Sequence, residues 1–393
     1  MPAQTPPPQP PSSPTNLGSD ANGNPLRRAI ATGHVSNYDE SKVKPYTLPD
    51  PLVFADGTPV RTARDWPRRR AEIIGMYESE IYGRIPAAAP RVTWVVKEDH
   101  GPRKSIVGTI GSAADAPRIN VTLDLPQKAT GRVPVILVLS FGGGGGPPVP
   151  DPPVAADILA RGWGFAKVGY QDIQPDRINT FDRGVIGVTS TGPRAPDAWG
   201  TISAWAWGVS RIIDYLQTDP AVDGARIAVF GHSRLGKTVL WASALDTRIA
   251  AVFSSCSGEM GAALARRDWG ETVDDMAQNF PWQFAPAFTK WAGRWNEMPV
   301  DAHMLIALSA PRPVFVTGGT GDQWADPKGE FLAQVAAGPV YTLLGKKDLG
   351  VTTLPPLDTP VIDGDLGWHY HTGGHVATRA DWQAFLTFLE KHL

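Results

Sequence analysis

The 393-residue sequence contains one cysteine, Cys256, which excludes an internal disulfide framework and any cysteine-based zinc cluster. A single thiol is compatible with a reducing or an oxidising compartment. Charge of one sign is also lacking: 37 Lys and Arg stand against 39 Asp and Glu, a formal net charge of −2. No global positive field exists for wrapping nucleic acid or adhering to an anionic membrane, so any partner is recognised locally. No run approaches the roughly 18 apolar residues needed to span a bilayer. The start shows neither the basic residues nor the apolar stretch of about 7 to 15 residues that marks a secretory signal. Pro-rich leaders often follow a cleaved signal, so the expected location is secreted or periplasmic. What is present suits a core, with 42% hydrophobic residues against 19% charged.

Residues 1–36 open with MPAQTPPPQPPSSPTNLGSDANGNP, which offers almost nothing apolar to offset the entropy of ordering it, and are read as a disordered leader. Residues 37–60 scatter Tyr, Leu, Val and Phe between Pro and Asp, as in an extended strap lying over a domain. A helix is expected where Ile73, Ile74, Tyr77 and Ile81 recur at helical spacing. From residue 90, three short β-branched runs punctuated by Gly, Pro and Asp read as an antiparallel edge. The continuous apolar run 133–141 reads as a strand buried on both faces. Strand and helix then alternate to a final helix in TRADWQAFLTFLEKHL. This order predicts an α/β fold with a mostly parallel sheet and helices on both faces, as one domain over 37–393. Ligands in such sheets sit at the carboxyl ends of strands, which directs attention to the residues just after them.

RIAVFGHSRLGKTVLWASA (226–244) reads as strand, tight turn and helix. Taken literally, Gly231 to Thr238 matches the phosphate-cradling loop G-x-x-x-x-G-K-[ST]. Taken as an elbow, Gly231 permits the sharp turn and presents Ser233 above the sheet, although Leu235 holds the usual last glycine position and Gly236 comes one later. A phosphate loop also needs a Mg²⁺-holding Asp at the end of a second apolar strand, and FSSCSGE and VFVTGGTGD supply none directly. An elbow needs an acid and then a His further along, and both are there. The elbow is therefore the favoured reading. His375 is the expected base, lying just before the last helix behind Gly373 and Gly374. His369 and His371 compete for that role. No carboxylate or cysteine recurs around them at ligand spacing, so no metal is expected. His34, His100 and His392 are expected to be solvated and His303 to be a structural hydrogen-bonding residue. Asp322 is the preferred orienting acid, with Asp326 as a helix N-cap before Pro327. The oxyanion hole would use the Arg234 N–H and the polyglycine loop SFGGGGGPP (140–148). Arg234 also sets a positive charge beside the nucleophile.

These residues resemble the glucuronoyl esterases of carbohydrate esterase family 15, the bacterial members in particular. GHSRLGK is similar to the family's G-[CH]-S-R-x-G-K elbow and SGEMGAALARR to its S-G-x-G-G-A-x-L-x-R-R segment, and the likeness runs from about residue 37 to the end. The resemblance implies an α/β-hydrolase fold and cofactor-free cleavage of esters between 4-O-methyl-glucuronic acid on xylan and lignin alcohols. It implies a Ser233, His375 and acid triad with Arg234 assisting the oxyanion, and it puts Lys237, Trp324 and Glu271 on the sugar. The chain departs from the family where many members place the catalytic Glu, since Cys256 stands there. Asp322 is thereby strengthened, with Glu259 as its rival. Met260 replaces a glycine, and Ser140 stands where an Asn is usual. The expected partner is a glucuronate ester met by a monomer, with no nucleic acid and no membrane. A broader acyl or acetyl-xylan esterase is the alternative within the hydrolases. A nucleotide hydrolase using Gly231–Thr238 is the alternative outside them.

Overall fold

The computed structural model describes residues 15–142, 151–190 and 192–393. Two short strands come first, β1 (Asn16–Ser19) and β2 (Pro25–Arg27), paired as an antiparallel hairpin. Helix α1 (Trp66–Glu80) and strands β3 (Val92–Asp99), β4 (Arg103–Ile110), β5 (Arg118–Asp124) and β6 (Val133–Ser140) follow. Next come α2 (Pro152–Ala160), β7 (Gly164–Gly169), α3 (Tyr170–Ile173), α4 (Gly184–Thr189), α5 (Thr201–Leu216) and β8 (Val222–His232). The remainder is α6 (Arg234–Leu245), β9 (Ile249–Ser255), α7 (Val273–Asn279), α8 (Ala302–Ala307), β10 (Val314–Gly319), α9 (Pro327–Leu343), β11 (Leu366–His371) and α10 (Arg379–His392).

Nine strands form one sheet in the order β11-β10-β9-β8-β6-β7-β5-β4-β3. From β11 to β7 every pairing is parallel, whereas β5, β4 and β3 add an antiparallel edge. Every residue of β6 is buried. Its side chains alternate, as a strand with period two requires: Val135, Leu137 and Leu139 enter the larger core, while Ile136 and Val138 enter the smaller one. The larger core is closed by α1, α5, α6, α8 and α9, and the smaller by α2 and α10. The result is three layers, helix on sheet on helix, with the carboxyl ends of β8, β9, β10 and β11 adjacent.

Two segments differ from the sequence reading. Residues 16–19 and 25–27 of the supposed disordered leader are strands. Local composition cannot report what orders them, because their partners are distant in sequence: the Ile30 N–H donates to Gln278 Oε1 (2.7 Å), Thr32 hydroxyl bonds Asp274, and Gly270 N–H donates to Asn37 O (2.9 Å). Residues 1–14 of that segment lie outside the described residues. The stretch around His369 and His371, to which the sequence reading assigned no element, is strand β11, parallel to β10 from Val314–Leu366 to Gly319–His371.

Candidate active site

The turn between β8 and α6 holds Ser233 at φ 58°, ψ −129°. A non-glycine residue pays strain to sit there. The surroundings impose it: Ser233 N–H donates to Ser255 O of β9 (2.8 Å), and α6 begins at the next residue. The two glycines fit the turn sterically. A Cβ at Gly231 would collide with the Leu235 carbonyl, and one at Gly236 would lie 2.8 Å from Ser257 Cβ and 2.9 Å from Ser254 Oγ. The glycine displaced to 236 is therefore the one that lets α6 approach the end of β9. A phosphate cradle is disfavoured by the same geometry. Lys237 is buried and faces Glu271 (Nζ–Oε2 3.7 Å), and Thr238 hydroxyl donates to Arg234 O within the helix (2.9 Å).

Ser233, Arg234, Lys237, Cys256, Glu271, Asp322, Trp324 and His375 line one cavity of about 390 Å³. Within it, His375 Nδ1 lies 2.6 Å from Asp322 Oδ2. Asp322 is buried just beyond β10, and the His375 side chain is 44% exposed on the loop after β11. Cys256 Sγ, an Asp322 oxygen and a His375 ring nitrogen fall within 4.8 Å of one another. Burial, and then the neighbouring carboxylates, push the Cys256 thiol pKa well up. It is a neutral neighbour of the acid and imidazole and does not compete as an anion. Glu259, the rival acid, is 3% exposed and its pKa is raised by burial. It forms no hydrogen bond or ion pair with His375, and its Oε1 has no hydrogen-bond partner among the described residues. Asp326 caps α9 by accepting from Gly329 N–H (2.9 Å).

Arg234 is fixed from behind. Its Nη1 lies 2.5 Å from Asp176 Oδ2, and its guanidinium sits 5.0 Å from the Phe280 ring centre. Asp176 also accepts from Trp282 Nε1 (2.7 Å), Gln283 Nε2 (2.9 Å) and Tyr170 hydroxyl (3.2 Å). On the opposite wall, Trp324 Nε1 donates to Glu271 Oε1 (3.0 Å), whose other oxygen faces Lys237. Burial lowers the Lys237 pKa, and the Glu271 charge works against that shift.

The other histidines separate by packing. His369 and His371 both bond one buried carboxylate, Asp381, at 2.6 and 3.2 Å. Asp381 in turn completes the capping box of α10 with Thr378. His371 Nε2 reaches Gly374 O (3.3 Å), bracing the loop that carries His375. Burial works to lower the His371 pKa, but the hydrogen bond and charge of Asp381 outweigh it and leave the pKa raised. His303 is buried with Nε2 on Pro49 O (2.8 Å), and His100 is exposed. His34 and His392 correct the expectation of solvation: His34 pairs with Asp268 (2.7 Å) edge-on to Trp295, and His392 donates to Phe388 O (2.7 Å). Residues 143–148 of the polyglycine loop lie outside the described residues.

Sequence reasoning passed over His232, Asp176 and Pro25. The His232 ring lies 4.4 Å from that of His375, and its Nδ1 is 3.2 Å from Ser255 Oγ. Its place inside the elbow motif was the available signal. Asp176 sits in a loop with no local pattern, so nothing in the sequence singles it out.

A serine on a strained strand-to-helix elbow, sharing one cavity with a carboxylate–imidazole pair at the carboxyl ends of parallel strands, defines the class as an α/β-hydrolase. The family model described as glucuronyl esterase, fungi, matches residues 109–345. The 4-O-methyl-glucuronoyl methylesterase of Phanerochaete carnosa is 32% identical over 77% of this chain and 73% of its own. A glucuronoyl esterase from Solibacter usitatus is 39% identical, with a TM-score of 0.83 over 90% of this chain and 99% of its own. A structure described as a promiscuous CE15 esterase from a marine bacterial metagenome is 37% identical, with a TM-score of 0.83 over 91% and 100%. The chain belongs to the glucuronoyl esterase family, a family of carboxylic ester hydrolases.

Proposed function

We propose that this chain hydrolyses esters of 4-O-methyl-glucuronic acid, such as those joining glucuronoxylan to lignin alcohols. The observation that carries the reading is the 2.6 Å His375–Asp322 contact in the same cavity as the strained Ser233. Asp322 accepts the Nδ1 proton of His375, which fixes the tautomer and leaves Nε2 as the base. Ser233 Oγ attacks the ester carbon as His375 takes its proton. The Arg234 guanidinium, held by Asp176, and its backbone N–H stabilise the oxyanion. His375 then protonates the departing alcohol, and water activated by the same imidazole releases the uronate from the acyl-enzyme. Side chains and water handle every proton, so the reaction as written needs no cofactor. Lys237, Glu271 and Trp324 provide a cation, a hydroxyl acceptor and an aromatic face, the complement of an oxidised sugar ring. The chain is further proposed to act as a monomer outside the cytoplasm, where polymeric plant substrates are met.

A broader acyl esterase is the second reading, favoured by the 37% identical relative described as promiscuous. Benzyl glucuronate and an acetylated xylo-oligosaccharide assayed side by side separate the two. The proposal expects kcat/KM to favour the uronate ester by about 10²-fold or more, the scale available when a site hydrogen-bonds groups that the competitor lacks. Equal rates would favour the broad esterase. Turnover of the acetyl ester alone would reject the uronate reading.

A further inference from the structure

One wall of the cavity comes from the N-terminal segment. Pro25 lines it together with Glu271, Met276 and Trp324. The segment is tied down next to that point, since Tyr38 hydroxyl donates to Pro25 O (2.7 Å) and Arg27 N–H donates to Ser36 Oγ (3.1 Å). Ser36 N–H donates back to Arg27 O (3.0 Å), and Gly270 N–H, next to Glu271, donates to Asn37 O (2.9 Å). Residues 25–37 are thus built into the same structure that holds Glu271 and Trp324. They also lie outside the stretch matched by the family model, 109–345.

Arg27, two residues beyond Pro25 on the same short strand and outside the cavity lining itself, sets its guanidinium 5.6 Å from the centre of the ring of Trp324, which does line the cavity. The two cations that line the cavity are matched by carboxylates, Arg234 by Asp176 and Lys237 by Glu271. Arg27 forms no ion pair among the described residues, although it is only half-exposed. An arginine stacked by an indole keeps its planar fork oriented, with donors suited to a carboxylate. The reacting group cannot be its target, because an ester carries no charge before cleavage and Arg234 is the cation beside Ser233. We propose that Arg27 binds a second, free uronate carboxylate carried by the polymer next to the esterified one, so that the enzyme selects acidic polysaccharides over isolated esters.

The inference rests on the uronate-ester reading, and the test keeps the two apart. Kinetics of the full chain, Arg27→Ala and Arg27→Lys are compared on two substrates. One is benzyl glucuronate. The other is a xylo-oligosaccharide bearing one methyl-esterified and one free 4-O-methyl-glucuronate. Arg27→Ala should lower the oligomer-to-monomer ratio of kcat/KM by about 3- to 10-fold, mainly through KM on the oligomer, the range of a partly exposed charged contact. Arg27→Lys should keep part of the preference. For the unaltered enzyme, about 1 M salt, where the screening length is about 3 Å, should reduce the same ratio. An equal loss on both substrates would reduce Arg27 to a prop for Trp324 and overturn the proposal, as would an unchanged, salt-insensitive ratio. Failure of the unaltered enzyme on benzyl glucuronate would instead reject the parent reading.

Discussion

At the residue scale, the acid is the informative case. Cys256 lies beside the acid and the imidazole, buried and with its thiol pKa pushed up, and a neutral buried thiol cannot hold an imidazolium as a carboxylate does. Asp322 lies at the end of the neighbouring strand, 2.6 Å from His375 Nδ1, and is the carboxylate proposed for that role. Asp322→Asn should therefore leave the fold intact and cut kcat on benzyl glucuronate by on the order of 10³- to 10⁴-fold, because an amide favours the wrong tautomer. A near-normal rate would move the role elsewhere. Asp176 is expected to act through Arg234, and Asp176→Asn should lower kcat on the order of 10-fold with little change in KM, since the released guanidinium serves the transition state more than the bound substrate. A change confined to KM would make Asp176 part of substrate binding instead. Asp322 was legible in the sequence because it follows an apolar strand and precedes a helix cap. Asp176 was not, because three of its four donors, Arg234, Trp282 and Gln283, come from segments far from it in the chain.

At the element scale, the β8–α6 elbow explains an irregular motif. Gly231 allows the turn, and Gly236 allows α6 to lie against the segment after β9, where a Cβ would be 2.8 Å from Ser257 Cβ. Gly236→Ala should cost about 1–3 kcal/mol of stability by overpacking, read as a lower urea midpoint. An unchanged midpoint would mean that Ser257 yields freely. The central strand β6 was readable from its unbroken apolar run, and β3 to β5 from their β-branched runs between turn residues. Strand β11 was hidden, because LGWHYH carries two histidines where a buried parallel strand usually shows aliphatic residues. Those histidines are tolerated because Asp381, from the cap of α10, bonds both. That compensation depends on contacts 10 and 12 residues away and lies beyond any local periodicity.

At the scale of the whole molecule, titration beside the active site couples to stability. Burial, and then the neighbouring His375 ring, hold the His232 pKa down to about 3. Unfolding returns it to its ordinary value near 6.5. Between those values the unfolded chain binds a proton that the native chain does not, so stability falls as pH drops from about 6.5 toward 3. His232→Asn should flatten that slope, measured as urea midpoints at successive pH values across the window. Identical slopes would show that His232 is not the group responsible. Global composition said little about such couplings. The near-zero net charge conceals two cations lining one cavity, Arg234 and Lys237, and a third, Arg27, beside its Trp324 wall, in a segment whose composition alone reads as disordered.

The central claim is that Ser233 is the nucleophile that cleaves the uronate ester. The most direct test is steady-state hydrolysis of benzyl glucuronate by Ser233→Ala beside the unaltered enzyme. The rate should fall by about 10⁴-fold or more, as when other serine hydrolases lose their nucleophile. Turnover retained within about 10-fold of the unaltered enzyme would contradict it.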